Sequence, residues 1–295
     1  MSAFWHWWVI GLTAITLVGC YWLIKFAARI PAGHAETETD VTGHSWDGLQ
    51  ELNNPLPRWW LWMFYLTIVF GIIYFALYPG LGNFQGFLGW SQTGQYDREV
   101  RKADKEYGPI FAAFAAQDID SLSKDPKAKE AGNRLYLTYC AVCHGSDARG
   151  ATGFPNLADE DWLYGGDPDA IKASILDGRQ GFMPPFGGAL GDDGVKNVVQ
   201  YVKSLSGMPH DAAAAQQGQT QYMTLCAGCH MPNGVGMAAL GAPNLTDNAW
   251  LYGRSDGAIA KTIREGRKGV MPAHRAFLGE DKSHLLAAYI YGLSK

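Results

Sequence analysis

A mostly α-helical protein, with an N-terminal hairpin of two transmembrane helices followed by two tandem small domains, is the fold class that this sequence predicts. Three observations support it. Two apolar runs lie within the first 80 positions of the 295-residue chain, a cysteine motif occurs twice further on, and the sequence after each motif repeats at a constant offset. The net charge of -4, without a block of Lys and Arg, does not favour a nucleic-acid-binding protein.

The two apolar runs occupy residues 4–24 and 59–78, and neither contains a formal charge. Each is long enough for an α-helix to cross a hydrocarbon core of roughly 30 Å. Tryptophans near the ends, such as Trp5 and Trp59, suit the headgroup region. The first run contains "LVGC", similar to a lipoprotein cleavage box, but no basic residue precedes it as in a signal peptide. We therefore predict two uncleaved spans, within residues 1–30 and 58–79, and assign no role to Cys20.

Basic residues flank the segment between the two spans. They are Lys25, Arg29 and Arg58. By the positive-inside rule the loop at 31–57 is cytoplasmic, and the rest of the chain lies on the other side of the membrane. Residues 80–129 are predicted to form an interfacial linker and a helix. In this linker "GLGNFQGFLGWSQ" is expected to lie along the membrane or against another subunit, and "QYDREVRKADKEYGPIFAAFAAQ" to form a charged, solvated helix.

Four of the five cysteines fall in two motifs of the form C-x-x-C-H. They are Cys140, Cys143 and His144 in the first motif, and Cys226, Cys229 and His230 in the second. This spacing is the signature of covalent haem c attachment, with the histidine as an axial iron ligand. A four-thiolate zinc site would need a much shorter gap between the pairs and would leave both histidines unexplained. A redox dithiol is disfavoured because no βαβ pattern is nearby. Two covalently bound haem c groups are therefore predicted.

The chain after each motif repeats itself. Residues 154–186 align with 242–274 at an offset of 88, which pairs Met183 with Met271. Recurrence at a long period indicates a duplicated unit. A methionine thioether is a soft, neutral ligand that raises a haem potential, so we predict Met183 and Met271 as the sixth iron ligands. The repeat leaves open whether each methionine serves the haem of its own unit; own-unit pairing is the default assumption.

Each unit contains the pattern of three short helices. In the first unit these are residues 131–139, "DPDAIKASILDG", and a closing helix with Val195, Val198, Val199 and Val202 on one face. The second unit has similar segments in the same places. Three small helices around a haem form a cytochrome c domain, and we predict two, at residues 130–207 and 208–295. The other histidines, His274 among them, are predicted to be surface or interface residues.

With these features together, the chain resembles the dihaem third subunit, or P subunit, of cbb3-type cytochrome c oxidase. The stretches "NNPLPRWW" before the second span and "YPGLGNFQGFLGW" after it carry the specific part of the resemblance. It implies a multi-pass protein of the bacterial inner membrane with its haem domains in the periplasm. It also implies three partners, namely a catalytic haem–copper subunit, a mono-haem cytochrome c subunit and a donor cytochrome c. Oxygen reduction and proton pumping would then belong to the complex, and this chain would carry no catalytic residue.

Three other functions are compatible with parts of the pattern. A membrane-anchored dihaem cytochrome serving a dehydrogenase or reductase would carry the same motifs. A dihaem peroxidase would need one open iron site with acid–base groups beside it, which two recurring methionines disfavour. A gas sensor would need an open site and an output domain. The spans contain only one histidine, His6, so this chain by itself cannot hold a haem–copper centre.

Overall fold

Helices make up most of the chain in the structure, a computed structural model that describes residues 1–28, 41–52 and 56–295. The mostly helical fold class is confirmed. The backbone divides into two units, Met1–Asp104 and Lys105–Lys295. One helix, α3, begins in the first unit and ends in the second.

The first unit contains the two apolar helices. They are α1, Ala3–Ala27, and α2, Arg58–Leu77. By length and composition both qualify as membrane spans, and almost none of either apolar segment is buried within the chain. They lie side by side, with the rings of Tyr21 and Tyr65 centred 6.1 Å apart. Their bounds agree with the predicted runs to within a few residues.

The predicted loop at 31–57 falls partly outside the described residues, as do Arg29 and the start of "NNPLPRWW" at positions 53–55. Within 41–52 the structure contains an antiparallel hairpin that the sequence analysis missed. Its strands are β1, Val41–Trp46, and β2, Leu49–Leu52. The turn residues Asp47 and Gly48 have φ of 51° and 83°, the left-handed conformations that an Asp-Gly hairpin turn adopts.

The segment "GLGNFQG" folds back over the ends of both apolar helices. The backbone N–H of Asn83 donates to Nδ1 of His6 on α1 at 2.9 Å. The N–H groups of Phe87 and Leu88 donate to the carbonyls of Ala76 and Leu77 at the end of α2. Gly86 has φ of 70°, and a Cβ there would lie 2.4 Å from the Leu77 oxygen. The segment is therefore a fixed cap on the helix pair.

The second unit is built from the end of α3, nine further α-helices and two strands within the described residues. The helices are α3 (Gln92–Ala115), α4 (Ile119–Leu122), α5 (Pro126–Tyr139), α6 (Ala141–His144), α7 (Pro168–Asp177), α8 (Gly187–Leu205), α9 (Ala212–Leu225), α10 (Ala227–His230), α11 (Asp256–Glu265) and α12 (Arg275–Tyr291). Side-chain caps fix several helix starts. Asp167, for example, accepts from the backbone N–H of Ala170 at the start of α7.

Two hydrophobic clusters form the interior of this unit, and they do not follow the two repeats. The first-motif core joins α4, α5 and α7 to α12, with Tyr136, Ile171 and Leu286 at its centre. The second-motif core joins α9 and α11 to α8, with Val199 and Tyr222 at its centre. The closing helix of each repeat thus packs in the core of the other repeat: α8 in the second-motif core and α12 in the first-motif core. The expectation that each repeat packs on its own closing helix is not met.

A small antiparallel ribbon accounts for this exchange. Its strands are β3, Arg179–Met183, and β4, Arg267–Met271, with Gly181 opposite Gly269. Because the strands pair with each other, the chain that leaves each strand emerges beside the helices of the other repeat. These strands are not predicted from the sequence, because a five-residue run that contains glycine does not have a pattern typical of a β-strand. The limits 130–207 and 208–295 stay predictions about the repeated sequence.

Candidate haem sites

Each C-x-x-C-H motif forms one tight turn at the end of a longer helix. Cys140 ends α5, and the N–H groups of Cys143 and His144 both donate to its carbonyl oxygen. Cys226 ends α9, and Cys229 and His230 repeat the arrangement. The two thiols and the imidazole of each motif therefore leave the same helical turn. This is the placement that attachment of one planar macrocycle at two thioethers and one iron bond requires.

Both motif histidines are oriented by a backbone carbonyl. Nδ1 of His144 lies 2.9 Å from the carbonyl oxygen of Pro155, and Nδ1 of His230 lies 3.1 Å from that of Pro243. A carbonyl only accepts, so Nδ1 carries the proton and Nε2 keeps its lone pair. Burial lowers the pKa of both imidazoles and keeps them neutral. A neutral imidazole with its Nε2 lone pair available is the form that binds iron.

The first cysteine of each motif lies in an apolar environment. Burial raises the pKa of the Cys140 thiol to about 11, and the pKa of the Cys226 thiol also to about 11. Reactive redox dithiols occur where the thiol pKa is lowered by positive charge, so the environment of these cysteines argues against a redox dithiol. Cys140 and Cys226 lie in different hydrophobic cores, which argues against a single four-thiolate zinc site.

Each core contains one motif and the methionine of the other repeat. Met271 packs in the first-motif core with Cys140, and Met183 packs in the second-motif core, which contains Cys226. Backbone contacts fix this crossing. A Cβ on Gly178, at the end of α7, would lie 2.4 Å from the carbonyl oxygen of Met271. The structure therefore brings all the predicted ligands into two groups, but it does not favour the default own-unit pairing.

The equivalent contact at the second site has the same geometry. A Cβ on Gly266 would lie 2.4 Å from the carbonyl oxygen of Met183. The residue three positions after each methionine also binds the other repeat, since His274 N–H donates to the Ile175 carbonyl and Phe186 N–H donates to that of Ile263. Each methionine loop is thus held on both sides of its sulfur-bearing residue.

An arginine stands opposite each methionine across the ribbon. Arg179 pairs with Met271, and Arg267 pairs with Met183. The guanidinium of Arg179 lies 4.9 Å from the ring centroid of Tyr164, and its Nε donates to Ser174 Oγ at 2.8 Å. The guanidinium of Arg267 is held in the same way, 4.2 Å from the ring centre of Tyr252. Each site therefore contains a fixed positive charge beside its methionine.

These arginines were missed by the sequence reasoning, although the signal was present. Arg179 and Tyr164 recur as Arg267 and Tyr252 at the same offset as the methionines. In a duplicated protein, recurrence marks structural residues and functional residues alike. The cross-strand register was needed to place them beside the sulfur atoms.

Two buried ring nitrogens indicate that a polar group belongs in each core. Among the described residues, Nε1 of Trp250 and Nδ1 of His274 are buried without a hydrogen-bond partner. Trp250 packs in the second-motif core. His274 follows Met271 at the first site and is close enough to His144 to lower its pKa further. A buried polar nitrogen without a partner is costly, and the carboxylates of a haem are suitable acceptors for the N–H of Trp250 and for His274 in its Nδ1–H tautomer. The residues present therefore fit the predicted group.

His274 also distinguishes the two sites. From the sequence we predict a surface or interface residue at this position; in the structure its ring is half-buried and its Nδ1 is fully buried. The position after Met183 that corresponds to it is Phe186. The first site thus has an imidazole where the second has an apolar ring, so the two sites are not electrostatically equivalent.

Comparison with known proteins gives two family matches. Residues 38–85 match the N-terminal domain of cytochrome oxidase-cbb3, FixP. Residues 127–202 and 213–290 each match cytochrome C oxidase, cbb3-type, subunit III. Together these matches include most of the chain beyond the first helix.

Individual relatives are similar over nearly their whole length. The cbb3-type cytochrome c oxidase subunit CcoP of Rubrivivax gelatinosus is 47% identical over 293 residues, which cover 99% of this chain and 95% of that protein. The CcoP subunit of Cereibacter sphaeroides is 39% identical, over 89% of this chain and 97% of that protein. Subunit FixP of Bradyrhizobium diazoefficiens is 41% identical, over 86% of this chain and 94% of that protein.

Proposed function

Because this chain belongs to the family of cbb3-type cytochrome c oxidase subunit III, a family of electron-transferring cytochrome c proteins, we propose that it relays electrons from a donor cytochrome c to the catalytic haem–copper subunit of such an oxidase. The four motif cysteines would hold two haem c groups covalently for this role. Oxygen is reduced in the catalytic subunit, and this chain contributes no catalytic residue. A mono-haem cytochrome c subunit is the third protein partner.

The proposed ligand sets combine the two repeats. Cys140 and Cys143 would hold one haem, and His144 and Met271 would bind its iron. Cys226 and Cys229 would hold the other, and His230 and Met183 would bind its iron. The observation that carries this proposal is the packing of each motif in one core with the methionine of the other repeat.

A bound haem c supplies one-electron redox chemistry at its iron. The residues of this chain set the conditions for it. The carbonyls of Pro155 and Pro243 accept hydrogen bonds from Nδ1 of His144 and His230. This leaves Nε2 of each imidazole available to bind iron. The neutral thioether and the arginine opposite it both favour the reduced state. If a histidine and a methionine of this chain both bound each iron, no position would be left for oxygen or peroxide, which would favour electron transfer over a peroxidase.

The proposed location is the bacterial inner membrane, with α1 and α2 both spanning it. By the positive-inside rule, the basic residues Lys25, Arg29 and Arg58 support a cytoplasmic connecting loop, with the haem domains in the periplasm. A dihaem cytochrome for another dehydrogenase or reductase would share the ligands and the topology. Resemblance in the N-terminal segment to cbb3-oxidase proteins favours the oxidase.

The first experiment is purification of the chain from its native membrane in mild detergent, with haem staining and an oxygen-uptake assay. We expect a complex with a haem–copper subunit that consumes oxygen when given reduced cytochrome c. A two-haem chain that purifies alone and supports no oxygen uptake would refute the oxidase assignment and leave a membrane cytochrome with another acceptor.

Exchange of the axial methionines tests the ligand sets. Met271→His is expected to lower the potential of the haem on Cys140 and Cys143, because a nitrogen ligand stabilises ferric iron relative to a thioether. Met183→His, the matched variant, is expected to lower the potential of the other haem. Variants of the two cysteine motifs identify which spectrum belongs to which site. If Met271→His changes only the haem on Cys226 and Cys229, the crossed ligation is wrong.

A further inference from the structure

Helix α3 carries an exposed apolar stripe with the spacing of a coiled-coil seam. Its members are Tyr96, Val100, Ala103, Tyr107 and Ile110. Their separations alternate between four and three residues, so they form a single line along the helix. Tyr96 is 66% exposed, Tyr107 50% and Ile110 51%. The charge content of this segment predicts a solvated helix, but a solvated helix does not require apolar residues at every a and d position over four turns.

The charges on α3 are sorted by face. Carboxylates occupy the positions that border the stripe on both sides, which are the e and g positions of the heptad. They are Asp97, Glu99, Asp104 and Glu106. The basic side chains all lie on the opposite face, at positions b, c and f. They are Arg98, Arg101, Lys102 and Lys105. Pro109 also lies on this opposite face, where its missing N–H does not interrupt the stripe.

This sorting identifies the chemistry of the partner. A helix that lies on an anionic membrane has a broad apolar face bordered by Lys and Arg, whereas this stripe is narrow and bordered by carboxylates. A second copy of α3 would bring carboxylate against carboxylate along both borders. A helix with an apolar seam bordered by Lys or Arg would satisfy both the seam and the charges.

We propose that α3 is a docking helix, and that its stripe packs against a basic-bordered α-helix of another subunit of the oxidase. The stripe covers 15 residues, or about 22 Å of helix. Two heptads are too short to hold two proteins together alone, so the contact forms within a complex that other surfaces assemble. This inference rests on the chain being a subunit of a larger complex, and it is independent of how the haems are ligated.

Site-specific photocrosslinking in the intact complex tests the proposal. A photoreactive phenylalanine analogue at Tyr107 is expected to give an adduct with one stoichiometric subunit, at a helical peptide with Lys or Arg at its e and g positions. The same analogue at Lys102, on the opposite face, is the matched control and is expected to give at least about tenfold less of that adduct. Haem staining and the reduced spectrum verify that each labelled chain is folded.

The charges are tested separately. Each exposed ion pair of this kind changes the equilibrium constant of the contact by about a factor of two. The combined variant Asp97→Asn, Glu99→Gln, Asp104→Asn and Glu106→Gln is therefore expected to lower the yield of the Tyr107 adduct about tenfold. Four Gln substitutions on the opposite face are expected to change it less than about twofold.

Each other outcome overturns the proposal. These outcomes are an adduct with lipid, with a second copy of the chain or with a peptide lacking basic borders; equal yields from both faces; and no adduct from Tyr107 in a complex that contains the label. A complex that loses oxygen uptake but keeps the Tyr107 adduct would instead count against the proposed function, so the two failures are distinguishable.

Discussion

The exchange of closing helices is best tested at the point where α8 and α9 approach each other. A Cβ on Gly218 of α9 would lie 2.1 Å from the carbonyl oxygen of Asn197 and 2.4 Å from its carbonyl carbon, both on α8. These are backbone atoms within a helix, so no side-chain rotation relieves the overlap. Gly218→Ala must therefore move the two helices apart and loosen the second-motif core.

The size of the effect follows from two opposing terms. Overpacking of a well-packed core costs about 1–3 kcal/mol, and rigid backbone contacts lie at the upper end of that range. Alanine recovers about 1 kcal/mol relative to glycine within a helix. The expected net loss is about 2 kcal/mol in the free energy of unfolding. In a domain of 150–250 residues, 1 kcal/mol corresponds to about 2–4 °C in Tm, so Tm should fall by about 4–8 °C.

The assay is thermal unfolding of the purified holoprotein, followed by haem absorbance and circular dichroism. Gly257→Ala is the matched control, because it makes the same change in α11 at a position with no atom within 4 Å. Its Tm is expected to stay the same or rise slightly. Potentiometric titration is expected to show the change at the haem on Cys226 and Cys229, since α8 follows the strand that carries Met183.

Two results would refute this reasoning. If Gly218→Ala and Gly257→Ala have the same Tm, α9 does not pack on α8 as closely as the structure indicates. If Gly218→Ala alters the haem on Cys140 and Cys143 instead, α9 packs with the helices of the other core.

Three further predictions concern single side chains. Arg179→Gln removes the positive charge opposite Met271 and is expected to lower the potential of the haem on the first motif by about 30–60 mV. A shift of about 59 mV corresponds to a tenfold change in the equilibrium constant for one electron. A potentiometric titration that shows a shift at the other haem, or no shift at all, would contradict the position of Arg179 beside the first site. Met231 has φ of 64° and ψ of 156°, where Gly145 stands in the first motif. This strain costs about 1–3 kcal/mol, and the larger conformational entropy that glycine loses on folding offsets part of the gain from removing it. Met231→Gly should therefore raise Tm by about 2–4 °C, and an unchanged Tm would show that the backbone there is unstrained. Burial and the carboxylates of Asp161 and Asp159 raise the pKa of Asp247, so the folded state holds this proton more tightly and stability falls as pH rises through the folded pKa. Asp247→Asn should therefore raise Tm at pH 7, with the gain disappearing below about pH 4, and a gain that is constant with pH would refute the electrostatic cause.

Much of this architecture follows from the sequence because its signals are local. Twenty apolar residues in a row and a C-x-x-C-H spacing can each be recognised within a short window, and the repeat around Met183 and Met271 can be recognised by comparing one short segment with another. The pairing between Met271 and Cys140 is not local. Own-unit and crossed arrangements have the same repeat pattern, and the difference lies in close backbone approaches such as that of Gly218 to Asn197.

The other features that were not predicted from the sequence have similar physical causes. The strands β3 and β4 contain glycine, and in the described residues their backbones pair with each other as a two-stranded sheet. Arg179 is recognisable as a neighbour of the iron site only once the register places it across from Met271. The hairpin at Asp47 and Gly48 did carry a local turn signal, but it lay inside a segment predicted to be a plain loop.

The exchange also dictates the order in which the two sites can be completed during synthesis. Every residue of the second-motif core lies within one uninterrupted stretch, 183–263, so this half can close as soon as that stretch has been synthesised. The first-motif core combines residues of 111–175 with residues of 271–293, so it stays open until α12 has been synthesised. The first candidate haem site is thus completed by α12, although its cysteines come earlier in the chain. A cut at the repeat boundary would disrupt both sites, whereas loss of the final helix would spare the second.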